Sequence, residues 1–145
     1  MSTEMLEKPQ TVPQQSATSQ AARVISWFEI PAHDLDRAAR FYESALDTSL
    51  QREVVGGVPI AIFGHSETET GGCIVFNPQD AKPDPKGVLV YLNAQPSVTA
   101  VLDRVEKAGG KRQGPALELP NNYGYIGFFI DTEGNRIGLH AAKLG

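Results

Sequence analysis

An α+β fold, made of two tandem βαβββ modules facing one pocket, is predicted for this 145-residue chain. Three observations predict it. Asp34-Leu35 and Ser97-Val98 open amphipathic helices at corresponding points of two successive segments. Similar apolar runs, Ile25–Ile30 and Val88–Asn93, precede those helices. Short strands separated by turn residues follow each one. Such a unit buries one sheet face under its helix and leaves the other to be covered or used. The space between the halves is therefore where function is sought.

The elements follow in order. Residues 1–22 are rich in Gln, Ser, Thr and Pro and bury too little apolar surface to offset their ordering entropy, so a disordered tail is expected. The first module spans 23–77. Val24–Ile30 reads as a strand ended by Pro31. Asp34 suits a helix N-cap. Leu35, Ala38, Ala39, Tyr42, Ala45 and Leu46 form one apolar helical face. Arg52–Val55 and Val58–Phe63 flank Gly56-Gly57, a hairpin turn. Gly64–Gly71 is a polar loop, and Cys73–Phe76 is a fourth strand.

Residues 78–86, with Pro78, Pro83 and Pro85, form a linker. The second module spans 87–142. Gly87–Leu92 reads as its first strand. Ser97 caps a helix whose buried face is Val98, Val101, Leu102, Val105 and Ala108, and Gly109-Gly110 stops it. Lys111–Leu119 holds one interrupted strand. Tyr125–Ile130 and Arg136–Ala141 flank the turn-forming Asp131-Thr132-Glu133-Gly134-Asn135. Pro120–Tyr125 is a turn or a lid over the cavity mouth.

Composition narrows the function. A net charge of −4 with no basic stripe argues against a nucleic-acid surface. No apolar run approaches the roughly 20 residues that span a bilayer. Cys73 is the single cysteine, so neither an intrachain disulfide nor a cysteine-rich zinc site can form. A lone cysteine fits a reducing cytoplasm. No phosphate loop, nucleophile elbow or dinucleotide fingerprint is present.

Three stretches carry a resemblance: Trp27-Phe28-Glu29-Ile30-Pro31, Asp34-Leu35-Asp36-Arg37-Ala38-Ala39-Arg40-Phe41-Tyr42, and Asp131-Thr132-Glu133-Gly134-Asn135-Arg136-Ile137-Gly138-Leu139-His140. Together they resemble the vicinal oxygen chelate superfamily of glyoxalase I, extradiol dioxygenases and fosfomycin and bleomycin resistance proteins. The likeness covers about residues 24–142 and leans towards small bacterial glyoxalase-like proteins. It implies paired βαβββ modules around a cavity, and a homodimer. In metal-dependent members it implies ligands on the first and last strand of each module. Those positions correspond here to Trp27, Val90, about Cys73, and Gly138. Trp, Val and Gly side chains cannot ligate a divalent cation, and Cys73 alone makes no site. No metal or other cofactor is therefore expected. His33, His65 and His140 are the only histidines and lack the spacing of a metal pair.

Strand alternation then assigns faces. With Trp27 on the cavity, Glu29 joins it, and Phe28 and Ile30 turn under the helices. With Gly138 on the cavity, His140 joins it, and Ile137 and Leu139 turn inward. The same parity puts Val75, Val90 and Leu92 on the cavity wall. The expected ligand-binding set is Trp27, Cys73, Val75, Val90, Leu92, Tyr125 and Gly138. Glu29 and His140 are the polar candidates. A carboxylate beside an imidazole serves as an acid–base pair, orients a ligand, or merely closes the end of a sheet. Three functions stay open: a metal-free binder of a small organic molecule, an enzyme (a lyase or dioxygenase with displaced ligands, or a Glu/His catalyst), and a dimerising interaction module.

Overall fold

The computed structural model describes residues 24–145, so the expected tail lies outside the described residues. The first half runs β1 (Trp27–Pro31), α1 (Leu35–Leu46), β2 (Leu50–Val55), β3 (Val58–Phe63) and β4 (Gly71–Val75). The second runs β5 (Tyr91–Asn93), α2 (Val98–Ala108), β6 (Lys111–Arg112), β7 (Leu117–Glu118), β8 (Tyr125–Ile130) and β9 (Arg136–Ala141). The sheets have matching orders, β1-β4-β3-β2 and β5-β9-β8-β6, with β7 also on β8. In each, the first strand runs parallel to the last, β1 to β4 and β5 to β9. β6 and β7 pair with opposite ends of β8 and are the two pieces of the predicted interrupted strand.

Local chemistry explains the boundaries. The Asp34 carboxylate accepts from the Arg37 N–H at 3.0 Å, and the Ser97 hydroxyl accepts from the Ala100 N–H at 3.0 Å. Each satisfies a donor that the first helical turn leaves open. Gly109 ends α2 with φ 109°, a conformation that a Cβ disfavours. Gly56 and Gly57 both take positive φ between β2 and β3, as a two-residue hairpin requires.

One core serves both halves. Ile30, Phe41, Tyr42, Ile74, Leu92, Leu102, Phe129 and Leu139 are all buried in it. The helices pack together, and Arg104 of α2 donates to the Ala45 carbonyl of α1 at 3.0 Å. Phe41, absent from the expected helical face, lies 4.8 Å from the Tyr42 ring and 5.8 Å from Phe129. The face widened because a second helix, rather than solvent, lies beside it. On the other face of the first sheet, Ile60, Cys73 and Val75 form a separate buried cluster.

Four strands are displaced from expectation, among them β2, which begins at Leu50 rather than Arg52. β1 includes Pro31, whose missing N–H is harmless on a strand with one free edge. β4 begins at Gly71 rather than Cys73. β5 begins at Tyr91 rather than Gly87, and Val88 is 94% exposed.

The Asp131–Asn135 loop is a lock as well as a turn. Glu133 accepts from the amides of His33 and Asp34 and from Arg37 Nε and Nη2, all at 2.8–3.0 Å. Thr132 Oγ1 adds a fifth donor at 2.8 Å. Asn135 Nδ2 donates to the Pro31 carbonyl at 2.8 Å, and its Oδ1 accepts from the Asp84 N–H at 3.1 Å. Asp131 takes the Tyr42 hydroxyl at 2.6 Å. The last loop of the second half thereby holds the strand-to-helix corner of the first.

Candidate functional site

Strand pairing decides which side chains share a face. In the first sheet Trp27, Glu29 and Pro31 stand beside Gly71, Cys73 and Val75. That face lies away from the helices, as the parity predicted. In the second sheet Tyr91 pairs with Gly138 and Asn93 with His140, while Leu92 pairs with Leu139. Leu139 is buried in the core, so Leu92 faces the core and Tyr91 and Asn93 face away.

The expected parity of Val90 and Leu92 is thus reversed. Ala32 and Ala94 are equivalent, each donating its N–H across to the last strand, to Val75 and His140 respectively. Ala32 precedes Leu35 by three positions, and Ala94 precedes Val98 by four. The second strand-to-helix connection carries one extra residue, and counting back from the helix slips by one. The counterpart of Trp27 is therefore Leu89. Its side chain offers no metal donor either.

A cleft of about 830 Å³ runs along the seam between the halves. Trp27, Phe28, Phe63, Leu89, Val90 and Tyr91 are among its walls, with Thr48, Thr70 and Asn93 as polar positions. Val90 and Leu92 line it despite their inward parity, because β5 lies at the sheet edge. A second pocket of about 480 Å³ lies over Tyr91, Asn93, Gln95, Leu119, Ile126 and His140. A third, of about 380 Å³, includes Glu29, Lys82, Asp84 and Arg136.

The remaining predicted residues fall in different places. Glu29 and His140 line different pockets, and the structure does not bring them together as a pair. His140 Nε2 instead meets the Tyr123 carbonyl at 2.6 Å. Gly138 lies beneath Tyr91, whose ring would be 2.5 Å from a Cβ placed there. Tyr91 also packs edge-on to Phe128, with centroids 5.8 Å apart. Tyr125 packs against the core. The Pro120–Tyr125 stretch holds a single kinked 3₁₀ turn, Pro120–Asn122, and leads into β8.

Cys73 is fully buried. Burial pushes its thiol up to about 11, with the Glu29 charge adding and a hydrogen bond from Trp27 partly offsetting. A thiol so placed is a poor nucleophile and a poor metal ligand at neutral pH. Among the described residues, no group of three or more His, Cys, Asp or Glu side chains is arranged to hold a metal ion. His65 packs edge-on to Trp27 at 5.7 Å, and both rings close over Gly71.

Sequence reasoning missed Leu89, Tyr91, Asn93 and Gln95. The run Val88-Leu89-Val90-Tyr91-Leu92 is apolar throughout, so it holds no alternation from which to read a face. It also missed the lock. Asp131-Thr132-Glu133-Gly134-Asn135 has turn chemistry whether or not its side chains reach across the molecule.

Two sheets of matching strand order, each with its first strand parallel to its last, define a class of paired-module α+β proteins. Residues 24–139 match the model of the Glyoxalase/Bleomycin resistance protein/Dioxygenase superfamily, and the chain belongs to that superfamily. It is 33% identical over 122 residues to a glyoxylase-like domain-containing protein of Didymella fabae, covering 77% of this chain and 88% of that one. That relative is fungal rather than bacterial. The fold is similar to FosX, the genomically encoded fosfomycin resistance protein of Listeria monocytogenes (TM-score 0.59, 16% identity, 81% of this chain and 89% of that one). It is also similar to glyoxalase I from Zea mays (TM-score 0.58, 20% identity, 81% of this chain and 45% of that one).

Proposed function

We propose that this protein binds a small, mainly apolar organic molecule in the seam cleft, without a family-type metal. The supporting observation is the cleft itself. It has a ligand-sized volume of about 830 Å³, walls of aromatic and aliphatic side chains, and a few polar positions. Trp27, 41% exposed at its rim, is an aromatic surface on which a planar group can stack. The four positions that correspond to family ligands are Trp27, Leu89, Cys73 and Gly138. They supply one buried, high-pKa thiol and no imidazole or carboxylate. That donor set does not fit a divalent cation. An enzyme using Glu29 and His140 as an acid–base pair is not favoured, since the two line different pockets.

Trp27 is the single tryptophan, so its emission reports on the cleft. Titration with methylcyclohexane, uncharged and transparent at the excitation wavelength, is expected to shift that emission saturably. A flat response would overturn the binding proposal. Stoichiometric transition metal in purified protein, by elemental analysis, would overturn its metal-free part. We further propose a homodimer working in the cytoplasm. Val54 and Val55 are exposed on the outer strand β2, an edge that a second copy would cover. Sedimentation equilibrium tests it, and a monomer at micromolar concentration would refute it.

A further inference from the structure

The 480 Å³ pocket adjoins the seam cleft, and Tyr91, Leu92 and Asn93 line both. Leu119 and Ile126 are its apolar walls, and among the described residues no acid, lysine or arginine lines it. Its polar side chains are Asn93, Gln95 and His140, apart from the Tyr91 hydroxyl. Each has one polar atom already committed to the backbone.

Asn93 Oδ1 accepts the Gln95 N–H at 2.8 Å. Gln95 Oε1 accepts the Ala142 N–H at 3.3 Å. With both oxygens turned to the protein, each amide leaves its NH₂ group as the unused end. His140 Nε2 lies 2.6 Å from the Tyr123 carbonyl. A carbonyl oxygen accepts and never donates, so Nε2 carries the proton, and Nδ1 of the neutral ring is the lone-pair atom. Gly124 makes this approach possible. With φ 105°, a Cβ there would stand 2.5 Å from the Ala141 carbonyl oxygen and 3.1 Å from His140 Nε2. With the ring neutral, these bonds leave two amide donors and one imidazole acceptor on side chains that line the pocket.

We propose that this pocket takes the head of the ligand, and that the head is a neutral carboxamide or lactam. Its C=O accepts from Asn93 and Gln95, and its N–H donates to His140 Nδ1. A carboxylate offers no donor to Nδ1, and an ammonium offers no acceptor to the two amides. The apolar body then runs past Tyr91 towards Trp27, which rests on the binding proposal for the cleft. The head pocket itself stands on its own hydrogen-bond pattern.

The probes are phenylacetamide, N,N-dimethylphenylacetamide and phenylacetate, added at millimolar concentration to ¹⁵N-labelled protein. Long-range ¹H–¹⁵N spectra of the His140 ring are expected to show the Nε2–H tautomer in the free protein. Phenylacetamide is expected to move Nδ1 in the direction of hydrogen-bond acceptance. It should bind about tenfold or more tightly than the other two, whose missing N–H leaves Nδ1 unmatched. Asn93→Asp and Gln95→Glu keep the protein-facing acceptor and turn the ligand-facing donor into an acceptor. Each should weaken phenylacetamide about tenfold while thermal unfolding stays at the wild-type midpoint. His140→Lys keeps a donor for Tyr123 and carries no acceptor, and should abolish the preference over the dimethyl amide.

Equal binding of phenylacetamide and its dimethyl analogue, or a His140 ring that does not respond, overturns the head pocket. Methylcyclohexane reports separately on the cleft through Trp27. If it shifts the emission while amide selectivity is absent, the head pocket alone is wrong. If His140 responds to the amide while Trp27 ignores methylcyclohexane, the cleft reading alone is wrong.

Discussion

The hydroxyl of Tyr42, on the first helix, donates to the carboxylate of Asp131 at 2.6 Å across 89 positions of sequence. Both residues are buried, and burial with the Asp131 charge beside it holds the phenol well above its ordinary range. Asp131 also accepts from the amides of Glu133 and Asn135. Tyr42→Phe removes one donor from a buried carboxylate and leaves the ring packing in place. A loss of about 1–3 kcal/mol in urea unfolding is expected. No change in the midpoint would show that the bond merely replaces one to water.

Glu133 is expected to contribute to the pH dependence of stability in acid. Burial alone would raise its carboxyl. The hydrogen bonds from Arg37, Thr132 and the Asp34 amide, with the Arg37 charge, outweigh burial and hold it at about 2. A depressed carboxyl stabilises the fold above its ordinary value of 4.5 and loses that contribution as pH falls through 2. Its side chain is fully shielded, so the contribution is on the order of 3 kcal/mol. Wild-type stability is expected to decline between pH 4.5 and 2. Glu133→Gln should be less stable by a similar amount at pH 7, with a flatter profile over that window. Parallel profiles for the two proteins would refute this.

Two glycines separate core packing from surface packing. A Cβ at Gly72 would meet the Phe28 ring at 2.2 Å, and Phe28 packs against the core beside Phe63. A Cβ at Gly138 would meet Tyr91, which is 45% exposed and free to swing out. Gly72→Ala should therefore cost about 1–3 kcal/mol. Gly138→Ala should cost about 1 kcal/mol, near the worth of the Tyr91–Phe128 ring contact. Denaturant midpoints in the reverse order would contradict the placement of the two rings.

Cys73 should be inert while the protein is folded. It is fully buried with a thiol pushed up to about 11. Dithionitrobenzoate at pH 8 is expected to react about a hundredfold more slowly with native protein than with protein in urea. Equal rates would place the thiol at the surface.

Much of this fold was legible in the chain. Asp34 and Ser97 announced their helices because a cap uses a local side-chain-to-amide bond. The hairpin at Gly56-Gly57 and the strands Tyr125–Ile130 and Arg136–Ala141 read correctly, since turn glycines and alternation are local too. The open face of β5 was not legible. Its register depends on one added residue in the Ala94–Ser97 connection, and the uniformly apolar run before it conceals the shift. Glu29 and His140 could each be placed on an open face, but not relative to one another. That depends on how two sheets meet, which no spacing within either strand encodes.

The lock joining Asp131, Glu133 and Asn135 to the Pro31–Arg37 corner has a consequence for how the polypeptide can be divided. Severing the backbone in the proline-bearing linker would leave one partner of the clasp on each fragment, along with half of the common interior. Two separately expressed pieces should then recognise each other and reassemble, making the chain a natural candidate for a split reporter.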